Sequence, residues 1–189
     1  MRIHFNATSN TINIPEIRKQ TEDNLRKRFE ESMPEIIKRM GERPPFITHE
    51  VGVYSNLFDE AENCYAQGFY YATISMIGIA TERFCMELGE KIKFKINENE
   101  VNVNAIFENK LRQSKRLNLL KSGRLINEET FNRLNQIKKI RDKYIHPLEL
   151  GYPKEDSLKI LKLFVDILNS RFSDIYVILD GKIVEKSLK

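Results

Sequence analysis

The sequence has no tryptophan and only two cysteines, three histidines, eight glycines and six prolines among its 189 residues. No low-complexity run or internal repeat is apparent, so the sequence gives no argument for a solenoid. His, Cys, Asp and Glu do not occur at metal-ligand spacing, and we therefore expect no metal site and no cofactor. A charged fraction of 31% beside 41% hydrophobic residues suits a soluble helical domain.

A long apolar run is also missing. The longest apolar stretch, near Ala72–Ala80, is too short to span a bilayer. The N-terminal residues lack the apolar core of a signal peptide. We therefore expect a cytoplasmic protein without a membrane partner. In that compartment Cys64 and Cys85, which lie in apolar helical patterns, are expected to be buried free thiols, with a disulfide as the less favoured alternative.

Positive charge is concentrated in one stretch of the chain. Residues 109–146 contain eleven Lys or Arg and three acids, a balance of +8, whereas the whole chain carries +4. Between Pro44 and Glu82 there is no Lys or Arg. Such an excess is either the footprint of a phosphate-bearing partner or a solvated helix face, and charge alone favours the solvated face.

Apolar residues recur at helical spacing along most of the chain. Pro15 suits the first position of a helix, and a capping box at Ser32–Glu35 predicts that this helix kinks or restarts there. Gly68 suits the left-handed position after a helix, and Asn127 suits the cap before another. The predicted helices after the first are 49–67, 69–92, 106–121, 127–145 and 155–172.

Two segments carry a β signal. Residues 2–14 alternate weakly, and Asp180-Gly181 separates two β-prone runs as in a hairpin. Residues 93–105 are predicted to be a polar connection. The fold class is therefore mainly α, an antiparallel helical bundle with a small β appendage at the termini. The expected organisation is an N-terminal extension (1–48), a helical bundle (49–172) and a hairpin tail (173–189).

A candidate site lies in the segment QIKKIRDKYIHPLEL. Pro147 disfavours a helical conformation at His146, so Arg141 lies about one turn before the helix end and His146 at it. His titrates near neutrality and suits general acid or base work, and Arg is a permanent, forked cation suited to a phosphate. The alternative is an ordinary Arg and His at a frayed helix end.

Two segments together resemble the HEPN superfamily of small helical bundles. "RDKYIH" is similar to its late-helix signature, with Asp142 in the polar slot after the Arg. "AENCYAQGFYYATISMIGIATERFCMEL" is similar to its first two core helices, and the resemblance covers about residues 49–172. Related families often carry Arg just before the Ala-x-Glu, whereas this chain has Gly78-Ile79. The matching positions of the first two helices are Gly68, Phe69, Ala72, Ala80 and Glu82.

The resemblance implies a metal-independent endoribonuclease with Arg141 and His146 as catalytic residues. The RNA 2′-OH would attack the adjacent phosphate and leave a 2′,3′-cyclic phosphate. It also implies a homodimer with the two Arg/His pairs facing one cleft, and a toxin or defence effector with an antitoxin or nucleotidyltransferase partner. The alternative is a non-catalytic HEPN module that dimerises or binds RNA or protein.

Other residues are expected to support this site. Glu82 lies in an apolar run, where an unpaired carboxylate is costly, so we expect it to pair with Arg141 or a neighbouring helix; a surface position is the alternative. Tyr144 either stacks on a base or packs. The candidate RNA-binding residues are Lys138, Lys139 and Lys143, which otherwise keep the helix soluble.

Overall fold

The structure, a computed structural model, describes residues 14–45, 52–90, 93–96, 99–102, 113–145, 152–179 and 182–185. Most of these residues are helical, which confirms a mainly α fold. The helices are α1 (Pro15–Glu42), α2 (Val53–Ala66), α3 (Tyr70–Glu90), α4 (Gln113–Ser122), α5 (Glu128–Ile145) and α6 (Pro153–Ile175). The strands are β1 (Lys93–Ile96), β2 (Asn99–Asn102), β3 (Tyr176–Leu179) and β4 (Lys182–Glu185).

The chain divides into two compact units, Met1–Gly41 and Glu42–Lys189. The described part of the first unit is helix α1, which begins at Pro15 as predicted. The helix runs through Pro34 as one continuous element, so of the predicted kink or restart at Ser32 the restart is wrong. The Ser32 hydroxyl donates to the carbonyl of Phe29 (3.0 Å), one turn back, and therefore does not act as a cap.

In the second unit, Gly68 forms the turn between α2 and α3. Its φ of 81° is the left-handed conformation that favours glycine, as the sequence predicted. Its N–H donates to the carbonyl of Tyr65 (2.9 Å), and the Phe69 N–H donates to the carbonyl of Cys64 (2.8 Å). At its other end α2 begins later than the predicted residue 49, with Gly52 as N-cap.

Helix α3 is the centre of the core and packs against α2, α4, α5 and α6. Helix α3 is therefore buried on more than one side. Tyr54, Phe84 and Phe164 meet edge to face, with Phe84 5.4 Å from Tyr54 and 6.0 Å from Phe164 between ring centroids. Each fully buried side chain of this size contributes about 1.5–3 kcal/mol. The predicted apolar stripes of α2, α5 and α6 all lie in or against this core wherever they are described.

Helix α5 has the predicted limits. The Asn127 side chain accepts a hydrogen bond from the Thr130 N–H (2.8 Å) and caps the helix, which ends at Ile145. Leu134 and Ile137 are fully buried on its inner face. Helix α6 extends beyond the predicted 155–172 at both ends. Of the predicted basic helix 106–121, residues 113–121 are helical and 106–112 lie outside the described residues.

The strands form two antiparallel pairs, β1 with β2 and β3 with β4. The first pair corrects the predicted polar connection at 93–105, since Lys93–Ile96 and Asn99–Asn102 are strands. The alternation of charged and apolar residues in Lys-Phe-Lys-Ile was the missed signal. The second pair lies in the C-terminal tail. Asp180-Gly181 and the predicted N-terminal strand 2–14 lie outside the described residues.

Both cysteines are free, Cys85 buried and Cys64 half-buried. Burial, with a smaller contribution from the Glu82 charge, raises the pKa of Cys85 to about 12, so this thiol is protonated near neutral pH. Across the described ranges, no helix combines the length and apolar character needed to cross a membrane.

Candidate functional site

Arg141, near the end of α5, is held by carboxylates from two directions. Its Nη1 donates to Glu82 Oε1 on α3, 59 residues away in sequence. Its Nη2 lies 3.4 Å from Asp142 Oδ1. The Arg141 side chain is only 17% exposed and that of Glu82 35%, so the pair is largely shielded from water. Of the two predicted alternatives for Glu82, an ion pair or a surface position, the structure shows the ion pair with Arg141.

Gly78 makes room for Arg141. A Cβ on this buried glycine would lie 2.3 Å from Arg141 Cδ and 3.0 Å from its Cγ, well inside van der Waals contact. Gly78 and Glu82 are four residues apart on α3 and therefore share one helix face. The aliphatic part of the Arg141 side chain therefore packs on Gly78, in a gap of the α3 surface that we call the Gly78 notch. Its guanidinium group meets Glu82. The contact with Arg141 gives a local reason for a glycine at position 78.

Asp142 links Arg141 to Lys138. Lys138 lies one turn before Asp142 on α5, and its Nζ donates to Asp142 Oδ2 (2.6 Å). Burial raises the pKa of Asp142, but the hydrogen bond and charge of Lys138 and the charge of Arg141 outweigh burial, so the pKa lies below its ordinary value. Asp142 is therefore ionised near neutral pH and balances the cations on either side.

Tyr144 packs at the last turn of α5. Its hydroxyl donates to Asp156 Oδ2 on α6 (2.6 Å), and its ring lies edge-on to Tyr71 with centroids 5.6 Å apart. Burial, together with the hydrogen bond to Asp156 and its charge, raises the pKa of Tyr144 above its ordinary range. Base stacking and packing were the two predicted alternatives for Tyr144, and the contacts in the structure are packing contacts.

The three candidate RNA-binding lysines are not equivalent. Lys138 is bonded to Asp142, and Lys143 Nζ donates to Asp156 Oδ2 (2.9 Å). Lys139 is exposed and makes no ion pair with any described residue. It is therefore the lysine of the three whose charge is not already matched by a carboxylate.

Ion pairs offset much of the basic excess of the stretch 109–146. Among the described residues of this stretch, at least five cations lie within 4.0 Å of a carboxylate. Two of the carboxylates, on Glu82 and Asp156, come from outside the stretch, which the local charge count could not include. The five paired cations are Lys121, Arg133, Lys138, Arg141 and Lys143.

His146, the second predicted catalytic residue, lies outside the described residues, as does Pro147. The predicted juxtaposition of Arg141 and His146 therefore stays a prediction. Within the described ranges, no three His, Cys, Asp or Glu side chains are grouped so that they could hold a metal ion.

Sequence reasoning did not assign two residues that build this region. The sequence singled out Gly78 only as a difference from the HEPN pattern, although its spacing of four residues from Glu82 was a usable signal. Asp156 was not singled out, and its place in the first turn of α6 gives only the general preference of acids for helix N-termini. It nevertheless holds both Tyr144 and Lys143.

One family model matches the chain, over residues 59–188, and is described as a domain of unknown function (DUF4145). The matched range includes α3, α5 and α6 with Gly78, Glu82 and Arg141. No curated protein and no solved structure matches the chain.

Proposed function

The chain belongs to the DUF4145 family, and we propose that it is a metal-independent endoribonuclease with an HEPN-like helical bundle. The observation that carries this proposal is the fixed guanidinium of Arg141, held by Glu82 over the notch at Gly78. The motif RDKYIH supports it by placing a histidine five residues after this arginine.

The ion pair gives Arg141 the property that phosphate catalysis requires. A free arginine loses about 2 kcal/mol of side-chain conformational entropy when it is ordered on a substrate. In this structure the Arg141 side chain is already ordered. Glu82 and Asp142 hold its guanidinium group, and its aliphatic part packs in the Gly78 notch. A preorganised cation stabilises charge that develops on the phosphate with little reorganisation. Arg141 Nε is buried and bonds no acceptor among the described residues, so one donor is left over.

In the proposed reaction His146 transfers a proton and Arg141 stabilises negative charge. A basic group removes the proton of the RNA 2′-OH, and the 2′-oxygen forms a bond to the adjacent phosphorus. The bond from phosphorus to the 5′-oxygen breaks, and an acidic group protonates the leaving oxygen. A histidine suits either proton transfer because it titrates near neutral pH. Arg141 stabilises the charge of the pentacoordinate phosphate.

Two surface features support RNA and a second copy of the chain as partners. Lys139 is exposed on α5 two residues before Arg141, which suits a contact to a neighbouring RNA phosphate. Tyr71 and Ile79 of α3 are about half exposed, at 52% and 44%, and lie on the helix that carries Gly78 and Glu82. We propose that this face joins two copies, and that the protein acts as a toxin or defence effector.

A second candidate function is a non-catalytic module that binds RNA or protein. The observation that favours it is the neutral charge balance around Arg141, where two carboxylates face Arg141 and Lys138. A purely structural arginine would have the same partners. The two candidates differ in turnover, which one experiment measures.

The test is incubation of the purified full chain with total RNA in EDTA, beside His146→Ala and the matched control His4→Ala. We expect cleavage by the wild type and His4→Ala and none by His146→Ala. Circular dichroism confirms that the variants are folded. Cleavage by His146→Ala at the wild-type rate would contradict the proposed enzyme, and RNA binding without cleavage by any of the proteins would favour the binding module.

A further inference from the structure

A cavity of about 170 Å³ lies at the N-terminal end of α5, at the opposite end of this helix from Arg141. One part of its wall is apolar and comes from α3, α6 and the turn between α4 and α5. The other part carries two guanidinium side chains, Arg124 and Arg171. The apolar wall residues are Phe84, Leu88, Leu125, Ile126 and Ile167.

Arg124 holds an unusual backbone conformation beside this cavity. Its φ is 57°, the left-handed region, and it is the one residue other than glycine with positive φ in the described part of the chain. Its N–H donates to the carbonyl of Lys121 (3.0 Å) and the next N–H, of Leu125, to that of Leu120 (3.0 Å), which closes the end of α4. Helices commonly end this way with glycine, and the glycine here is one residue earlier, at Gly123.

These two hydrogen bonds explain the left-handed backbone as the end of α4, and the turn places the Arg124 side chain on the cavity wall. Arg124 makes no ion pair with any described residue, unlike the five paired cations of the same stretch. Its side chain is exposed at the cavity and is free to meet an anion. The N–H of Thr130, a residue that also lines the cavity, bonds to Asn127 and is therefore not available to the anion.

We propose that this cavity binds a small organic acid, an anion with one aromatic or branched apolar body. The anionic group meets Arg124, since a forked guanidinium group binds carboxylates and phosphates through two parallel hydrogen bonds, and Arg171 adds positive charge to the same wall. The apolar body lies against Phe84, Leu88 and Ile167.

The size of the cavity limits the ligand. An engineered apolar cavity of about 150 Å³ accommodates benzene, so a cavity of about 170 Å³ takes one ring with its substituent at the mouth. The residues that line this cavity do not include Arg141, Glu82 or Gly78, so the site is distinct from that of the proposed RNA chemistry.

The test is calorimetric titration of the full chain with phenyl phosphate, benzoate, inorganic phosphate and benzyl alcohol. We expect saturable binding of phenyl phosphate and benzoate, and binding at least about tenfold weaker for inorganic phosphate, which lacks the ring, and for benzyl alcohol, which lacks the charge. Arg124→Gln is expected to weaken phenyl phosphate binding about tenfold. Lys115→Gln, which removes an exposed charge from α4, serves as the matched control and leaves binding unchanged.

A second variant separates the ligand role from folding. Arg124→Gly removes the guanidinium but suits the left-handed backbone, so its thermal unfolding midpoint is expected to equal or exceed that of the wild type while binding is lost. No saturable binding of either acid by the wild type would overturn the proposal. Equal binding of inorganic phosphate or benzyl alcohol would overturn the ligand class, and unchanged binding by Arg124→Gly would overturn the assigned site.

Discussion

The two ends of α5 each place an arginine beside a potential ligand site, and they fix it in different ways. Arg141 at the C-terminal end is positioned by side chains, with Glu82 and Asp142 at its head and Gly78 beneath its stem. Arg124 before the N-terminal end is positioned by its own left-handed backbone and makes no ion pair with the described residues. The comparison shows that a run of basic residues in a sequence does not make a uniform basic surface.

Removal of Glu82 is expected to have the largest effect on the C-terminal end. Glu82→Ala leaves a shielded guanidinium without its main partner, and we expect the free energy of unfolding to fall by about 2 kcal/mol. Urea denaturation followed by circular dichroism measures this. The matched control is Glu22→Ala, which removes the exposed pair with Arg18 and is expected to cost less than about 0.5 kcal/mol. Equal effects of the two substitutions would show that the Arg141 pair does not fix the site.

Gly78→Ala tests the notch, and its effect is expected to change sign with the residue at 141. In the wild type the new Cβ collides with the aliphatic part of the Arg141 side chain, so we expect the collision to outweigh the helix-propensity gain, and both the free energy of unfolding and RNA cleavage to fall. In an Arg141→Ala background the collision is gone, and alanine should stabilise α3 by about 1 kcal/mol. The same denaturation experiment on the four proteins measures the coupling. Additive effects would contradict the contact between Gly78 and Arg141.

The last turn of α5 is expected to lose a stabilising contact in acid. Burial raises the pKa of Asp156, but hydrogen bonds from Tyr144 and Lys143 and the Lys143 charge outweigh it, so its folded pKa lies below the ordinary value. The stabilisation is therefore fully present above the unfolded pKa of about 3.9 and is lost as pH falls through the lower folded value. Asp156→Asn should be less stable than the wild type at pH 7, and that difference should shrink below about pH 4. A difference that stayed constant in acid would rule out this origin.

Lys139→Gln is expected to have the smallest effect on stability and a selective one on RNA. Because Lys139 is exposed and makes no ion pair with the described residues, unfolding should change by less than about 0.5 kcal/mol. If it binds one phosphate, the slope of log affinity for RNA against log salt should fall by about 1. Fluorescence anisotropy with labelled RNA at several salt concentrations measures the slope. Lys138→Gln, which breaks the bond to Asp142, is the matched comparison, and a larger change in slope for Lys138 would reverse the assignment.

The sequence predicted the elements whose signal is local. The limits of α5 follow from the Asn127 cap and the stripe through Leu134 and Ile137, and the turn at Gly68 follows from glycine's access to positive φ. The predictions failed where a local signal was ambiguous. The capping box at Ser32 lies inside a continuous helix, and β1 and β2 occupy a segment taken as a connection.

The site was less predictable because its contacts join distant parts of the chain. The cost of an unpaired carboxylate in an apolar run identified Glu82 as needing a partner, with Arg141 one of the choices. The notch at Gly78 depends on how α3 and α5 approach each other, which no local spacing encodes. The partners of Lys143 and Tyr144 depend in the same way on the position of α6.

The measurement that tests the central claim most directly is the cleavage rate of a defined RNA in EDTA by Arg141→Ala, with the 3′ ends of the products identified. The wild type should leave 2′,3′-cyclic phosphate ends. Loss of a preorganised group that stabilises transition-state charge typically costs about 10²–10³ in rate, and we expect a fall of that size for Arg141→Ala. Cleavage by Arg141→Ala at the wild-type rate, or products without cyclic phosphate, would contradict the account.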